Sequence, residues 1–180
     1  MLSLVAFVGM GCAAPLEFEV QGDQAVMTGE LDSRSVGKVR ELLTQNPDLK
    51  RVVLLDVPGS VDDVAALEAA RLIRQAGLNT LVPRDGEIAS GGVDFFLAGV
   101  ERAVAPGGRV GVHSWSEGKV EGADLSRDDP EHRLYLDYLG EMGIPEDFYW
   151  FTLQAANSRD IHWMSREELL RYQLTTKESD

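Results

Sequence analysis

The stretch that decides the fold reads Gly86-Glu87-Ile88-Ala89-Ser90-Gly91-Gly92-Val93-Asp94-Phe95-Phe96-Leu97-Ala98-Gly99. Ser90 stands among small residues, after an extended run and at the mouth of an apolar helix. Small neighbours permit a sharp turn between strand and helix. Such a turn lifts a hydroxyl clear of the backbone, where it can act as a nucleophile. The first N–H groups of the following helix, those of Gly91 and Gly92, have no partner within it and point at whatever approaches Ser90. Donors so placed hold the negative oxygen that develops when a carbonyl is attacked. The same residues also fit a plain N-cap, with Ser90 opening the Val93–Leu97 helix and doing nothing more.

On either side of this stretch, strands and helices alternate. Upstream, Leu16–Val20 and Ala25–Thr28 flank a Gly22-Asp23 turn and form a hairpin. Ser33 is the expected cap of a helix with Val36, Val39, Leu42 and Leu43 inward, closed by Asn46-Pro47. Arg51–Val57 is a nearly continuous apolar run, as in a strand covered on both faces. After Pro58-Gly59-Ser60, residues Val61–Ala76 have helical spacing through Val64, Leu67, Ile73 and Ala76, and Gly77 ends the helix. A second cycle follows: strand Asn79–Pro83, turn Arg84–Ala89, helix Ser90–Val100, then short strands Arg102–Ala105 and Arg109–His113. This order defines an α/β fold of repeated β-turn-α units in a single domain, with helices layered on a sheet.

Downstream, Ser114–Asp129 is polar and reads as an exposed loop that can lie over a site. Pro130 opens a helix carrying Leu134, Tyr135, Tyr138, Leu139 and Met142. Pro145 opens another with Phe148, Phe151, Thr152 and Ala155 inward, its aromatics read as core or interface. Ser165-Arg166-Glu167-Glu168 has the form of a capping box for the last helix. Thr175–Asp180 reads as a frayed polar tail.

The chain has 180 residues, 44% of them hydrophobic and 26% charged, with a formal net charge of −13. That length suits one domain with a proper core. The acidic balance argues against nucleic acid as a partner, because no basic patch exists to release counterions. Met1–Ala14 carries no charge, is too short to span a bilayer and ends in small residues; it reads as an export leader, with residues 15–180 the folded domain. Gly9-Met10-Gly11-Cys12 faintly matches a lipoprotein box in which Cys12 bears lipid. The expected location is therefore the periplasm or the outer side of a membrane. A buried first strand is the plainer alternative. With one cysteine there is no intrachain disulfide and no thiolate metal cluster, and no spacing of His, Asp or Glu implies a metal or another cofactor.

A nucleophilic serine needs a base, and three histidines are available. His132 sits in a charged helix start and reads as a surface residue. His162 lies beside Asp160 in a short extended piece. His113 ends an apolar strand after a Gly-rich turn, where α/β folds place working side chains, and is the best base.

Four segments resemble the ClpP/crotonase-like superfamily, and within it the ClpP-type serine peptidases and their exported relatives. Val53–Val61 is similar to the strand and Pro-Gly turn that line the peptide groove. Ala89-Ser90-Gly91-Gly92 with Phe96–Gly99 resembles the nucleophile turn and its helix. Val110–His113 resembles the strand ending in the catalytic histidine, and Asn157–Leu174 the closing segment. The resemblance implies Ser90 as nucleophile, His113 as base, Asp160 as orienting carboxylate, and the amides of Gly59 and Gly91 as oxyanion donors. It also implies a homo-oligomer.

The chain departs from that pattern in three places. The groove turn has one glycine where the peptidases usually have two. Asp94 replaces the small apolar residue usual on the nucleophile helix, where its charge is expected to raise the pKa of His113 or crowd the pocket. The segment before Pro130 lacks the long handle by which ClpP rings stack, so no ATPase-dependent barrel is expected. Three functions follow: a serine hydrolase acting on a peptide or other acyl bond, a non-catalytic binding or assembly module of the cell envelope, and a crotonase-type acyl-CoA enzyme.

Overall fold

A computed structural model describes residues 14–177. Cys12 and all of the expected leader except Ala14 lie outside the described residues. The elements are β1 (Glu17–Gln21), β2 (Gln24–Thr28), α1 (Ser35–Gln45), β3 (Arg51–Val57), α2 (Asp63–Gln75), β4 (Asn79–Val82), β5 (Glu87–Ala89), α3 (Gly91–Leu97), β6 (Arg102–Val104) and β7 (Arg109–Val112). They continue with the small hairpin β8 (Ser116–Glu117) and β9 (Val120–Glu121), then α4 (Arg133–Met142), α5 (Glu146–Ala155), β10 (His162–Trp163) and α6 (Arg166–Arg171).

The sheet forks at β3. On one side β3 pairs along its length with β2. On the other, Arg51–Val53 pair in parallel with β4, which continues to β6, while Asp56 and Val57 pair with β5, which continues to β7 and β10. Its interior pairs are parallel, and the antiparallel partners β1 and β10 stand at its ends. The fork opens space at the carboxyl ends of β3, β5 and β7, where a parallel sheet places its ligands.

The core lies between this sheet and α1–α5. Val52, Leu54 and Val57 of β3 face it, while Val53 and Leu55 on the other face are only half-buried. The strand is thus covered fully on one face rather than both. Phe95 and Phe96 of α3 are completely buried and anchor that short helix to the core. Each such ring contributes about 2–3 kcal/mol of burial free energy, which offsets the cost of holding the turn before them.

Several elements differ from their sequence expectation. α1 begins at Ser35, not after Ser33, because the Asp32 carboxylate accepts the Arg34 amide and the Ser35 hydroxyl accepts the Asp32 amide. The buried stripe of α2 is built from Ala66, Leu67, Ala69, Ala70 and Ile73, which leaves Val61 and Val64 68% and 61% exposed. Small side chains let α2 sit close to α3 and turn its larger valines outward. Residues Glu87–Ala89 form a strand rather than a turn. The chain around the start of the tail is docked: the Arg102 guanidinium donates to the carbonyls of Gly99, Gln173 and Leu174, and the Arg102 amide donates to the Thr176 hydroxyl. The capping box of α6 forms as expected, with Ser165 and Glu168 exchanging bonds.

Candidate active site

Ser90 occupies the turn between β5 and α3. Its backbone has φ 52° and ψ −129°, a region that costs a non-glycine residue about 1–3 kcal/mol. The turn is held on both sides: the Ser90 amide donates to the Gly111 carbonyl at 3.1 Å, and the Ser90 carbonyl accepts the Val93 amide at 2.8 Å. The Ser90 hydroxyl has no hydrogen-bond partner among the described residues. A strained, over-determined backbone that presents an unengaged hydroxyl is the geometry of a nucleophile elbow. The plain N-cap reading fails, since the Ser90 side chain makes no cap bond.

The turn after β3 packs directly against it. Gly59 has φ +152°, and a Cβ there would lie 3.2 Å from the Ser90 Cβ and 3.6 Å from its hydroxyl oxygen. Gly91 faces the neighbouring Ser60: a Cβ on Gly91 would fall 2.3 Å from the Ser60 Oγ and 2.6 Å from its Cβ. The serine in place of a second groove glycine is therefore accommodated by the missing side chain of Gly91. The Ser60 hydroxyl donates to the Asp63 carboxylate. Among the described residues the amides of Gly59 and Gly91 have no acceptor, so both donors are available beside Ser90.

His113 follows β7 and shares one cavity with Ser90. Its Nδ1 lies 2.8 Å from the Ser114 carbonyl. A carbonyl only accepts, so this bond puts the proton on Nδ1 and leaves the Nε2 lone pair free, the tautomer a general base requires. Asp160 is brought to the same strand end from far along the chain. β10 runs antiparallel to β7 with His162 opposite Val112, and continuing the register sets Ile161 opposite His113. The Asp160 side chain is exposed and accepts the Ile161 amide at 2.8 Å. The structure thus joins Ser90, His113 and Gly91 around one cavity, with Gly59 packed against Ser90; Asp160 is not among the cavity's lining residues.

The cavity is small, about 50 Å³, and is also lined by Asp63, Asp94, Trp115, Tyr135, Phe148 and Tyr149. Asp94 lies one helical turn from Ser90, on the same face of α3. It is partly exposed on the cavity wall yet surrounded by protein. That burial first, and the charge of Asp63 second, push its own carboxyl up to about 7. The Tyr135 hydroxyl donates to Asp63 at 2.5 Å, and burial with these two acids raises its pKa far above the ordinary phenol value. His132 is buried rather than on the surface: its ring bonds the Tyr149 hydroxyl at 2.7 Å and the Ser126 carbonyl at 3.1 Å. The charged run around it gave no sign that the ring turns inward. Among the described residues no group of His, Cys, Asp and Glu is arranged to hold a metal, and no helix is long and apolar enough to cross a membrane.

The forked sheet and the Ser90 turn define the ClpP/crotonase-like fold. Solved structures of that fold align with most of the chain. A serine-to-alanine mutant of the 1510-N membrane-bound stomatin-specific protease matches at TM-score 0.54 and 14% identity, over 83% of this chain and 77% of that one. A lysine-to-alanine mutant of the same protease, in complex with a substrate peptide, matches at TM-score 0.54 and 16% identity, over 83% and 73%. Enoyl-CoA hydratase from Bacillus halodurans matches at TM-score 0.59 and 14% identity, over 92% and 73%. No protein-family model matches the sequence, and no curated protein matches it.

Proposed function

We propose that the protein is a serine hydrolase that cleaves a peptide or other acyl bond without an ATPase partner. The observation that carries this reading is the Ser90 backbone, held at positive φ beside two free amides and in one cavity with an imidazole. Ser90 Oγ attacks the substrate carbonyl carbon as His113 Nε2 takes the hydroxyl proton. The Gly59 and Gly91 amides donate to the oxyanion. Collapse of the tetrahedral intermediate breaks the acyl bond, and His113 returns its proton to the leaving amine or alkoxide. Water, deprotonated by the same imidazole, then releases the acyl group and restores Ser90. The Ser114 carbonyl orients the imidazolium directly, and Asp160 supports its charge from the strand end. The protease neighbours favour this chemistry, although no lysine lines the cavity; the basic group within it is His113.

A fluorophosphonate probe tests the reading. The folded wild-type protein is expected to be labelled at Ser90 and the Ser90→Ala variant not at all; an unlabelled wild type overturns the proposal. The likeness to enoyl-CoA hydratase favours a second reading, in which the paired amides hold a thioester enolate. Against it, the cavity wall carries carboxylates and no lysine or arginine for the phosphates of CoA. CoA-thioester binding by calorimetry, with activity surviving Ser90→Ala, would establish that alternative.

A further inference from the structure

The cavity beside Ser90 has an acidic wall, an aromatic wall and no cation of its own. Both oxygens of Asp63 are engaged, one by the Ser60 hydroxyl and the other by the Tyr135 hydroxyl. Asp94 is different: its carboxylate receives no hydrogen bond from any described residue, although it faces the same space. Nearby arginines are committed elsewhere. Arg71 pairs with Glu141 at 2.5 and 3.0 Å, and Arg74 donates to the carbonyls of Gly99 and Met142. Two carboxylates held together out of water repel each other, and a cation placed between them relieves both the repulsion and the desolvation.

The aromatic part of the lining suits a cation as well. Trp115, Tyr135 and Tyr149 stack in sequence, with centroids 5.9 and 5.7 Å apart and planes within 20°. Aromatic faces attract ammonium and guanidinium groups and also cover their aliphatic stems. An adjoining groove shares Asp63, Trp115 and Tyr135 with this cavity and adds Asp62, Glu117 and Glu131. No lysine or arginine is among the residues lining either space. The exposed Val61 and Val64 supply the groove with apolar surface for a peptide to lie on.

We propose that this cavity receives the basic side chain of the substrate, so that the bond Ser90 attacks belongs to a peptide carrying lysine or arginine on the acyl side. Asp94 is the specificity-determining residue. The assignment rests on the hydrolase reading above. The groups facing Asp94 are Asp63 from α2, Tyr135 and Tyr138 from α4, Tyr149 from α5 and His113 from the end of β7. A bound cation opposes both causes that hold the Asp94 carboxyl near 7, so selectivity for basic substrates strengthens as pH rises through that value.

The test uses fluorogenic peptides identical except for lysine, arginine, norleucine or glutamate before the scissile bond. Lysine and arginine are expected to exceed norleucine in kcat/KM by roughly 30-fold or more, with glutamate slowest. Asp94→Asn is expected to bring the lysine-to-norleucine ratio within about threefold. Equal rates for lysine and norleucine, with Ser90 still labelled by fluorophosphonate, overturn the cation cavity and leave the hydrolase standing. Absence of labelling overturns the hydrolase and the bond assignment. Calorimetry with benzamidine on the wild-type chain then decides the cavity alone. Binding of benzamidine but not benzamide supports it, and binding of neither overturns it. That measurement also serves if Asp94→Asn fails to fold.

Discussion

Two strand-to-helix turns meet in this protein, and they use the same residue types to opposite ends. After β3 the order is Gly59-Ser60, with Asp63 three residues on; after β5 it is Ser90-Gly91, with Asp94 four residues on. A side chain on Gly91 would collide with Ser60, and one on Gly59 would press tightly on Ser90. Ser60 is tied to its aspartate and its backbone is ordinary. Ser90 has a strained backbone, a hydroxyl without a partner and an aspartate whose carboxylate receives no hydrogen bond from any described residue. One turn is satisfied and structural. The other keeps its polar groups unspent, which is where a protein holds reactivity.

The comparison is sharpened most by removing the unspent hydroxyl. Ser90→Ala is expected to lower kcat on an ester substrate roughly 10³-fold or more while leaving the thermal unfolding midpoint unchanged or higher. Next comes the interlock itself. Gly91→Ala drives a methyl group into Ser60 and is expected to cost about 2–3 kcal/mol in urea unfolding. Adding Ser60→Gly should return more than half of that loss. A double variant no more stable than Gly91→Ala alone would break the picture of two interlocked turns.

A smaller effect follows from the two aspartates. The folded Asp94 carboxyl keeps its proton up to about pH 7, whereas the unfolded chain releases it near 3.8. The native state therefore binds more protons between those values, and stability falls as pH rises through that window. Asp94→Asn is expected to match wild type near pH 4 and to exceed it by on the order of 2 kcal/mol above pH 8. Denaturation curves at pH 4.5, 6 and 8 check the sign. Smallest is Asp160→Asn, expected to lower kcat/KM about tenfold because the Ser114 carbonyl already holds the imidazole. A loss near 10³-fold would transfer the direct orienting role to Asp160.

Much of this site could be read from the chain because local rules and tertiary demands agree there. Small residues around Ser90 predict the sharp turn, the apolar run Val110–Val112 predicts the strand that delivers His113, and Ser165 with Glu168 predicts the last helix start. Reading failed where a long-range contact outweighed local character. Glu87–Ala89 is too short to signal a strand and becomes one by pairing with β3 and β7. His132 lies in a charged run, yet the distant Tyr149 hydroxyl captures its ring. The shift of the Asp94 carboxyl was equally out of reach, since the protein around it and Asp63 come from elsewhere in the chain.

The branching of the sheet at β3 bears on how the molecule comes apart. Because one seven-residue strand lends its first half to one arm and its last pair to the other, neither arm can peel away without exposing the edge on which its sibling rests. Melting of β4–β6 and of β5–β7–β10 should therefore be one event, with amide exchange in both arms slowed to the same degree.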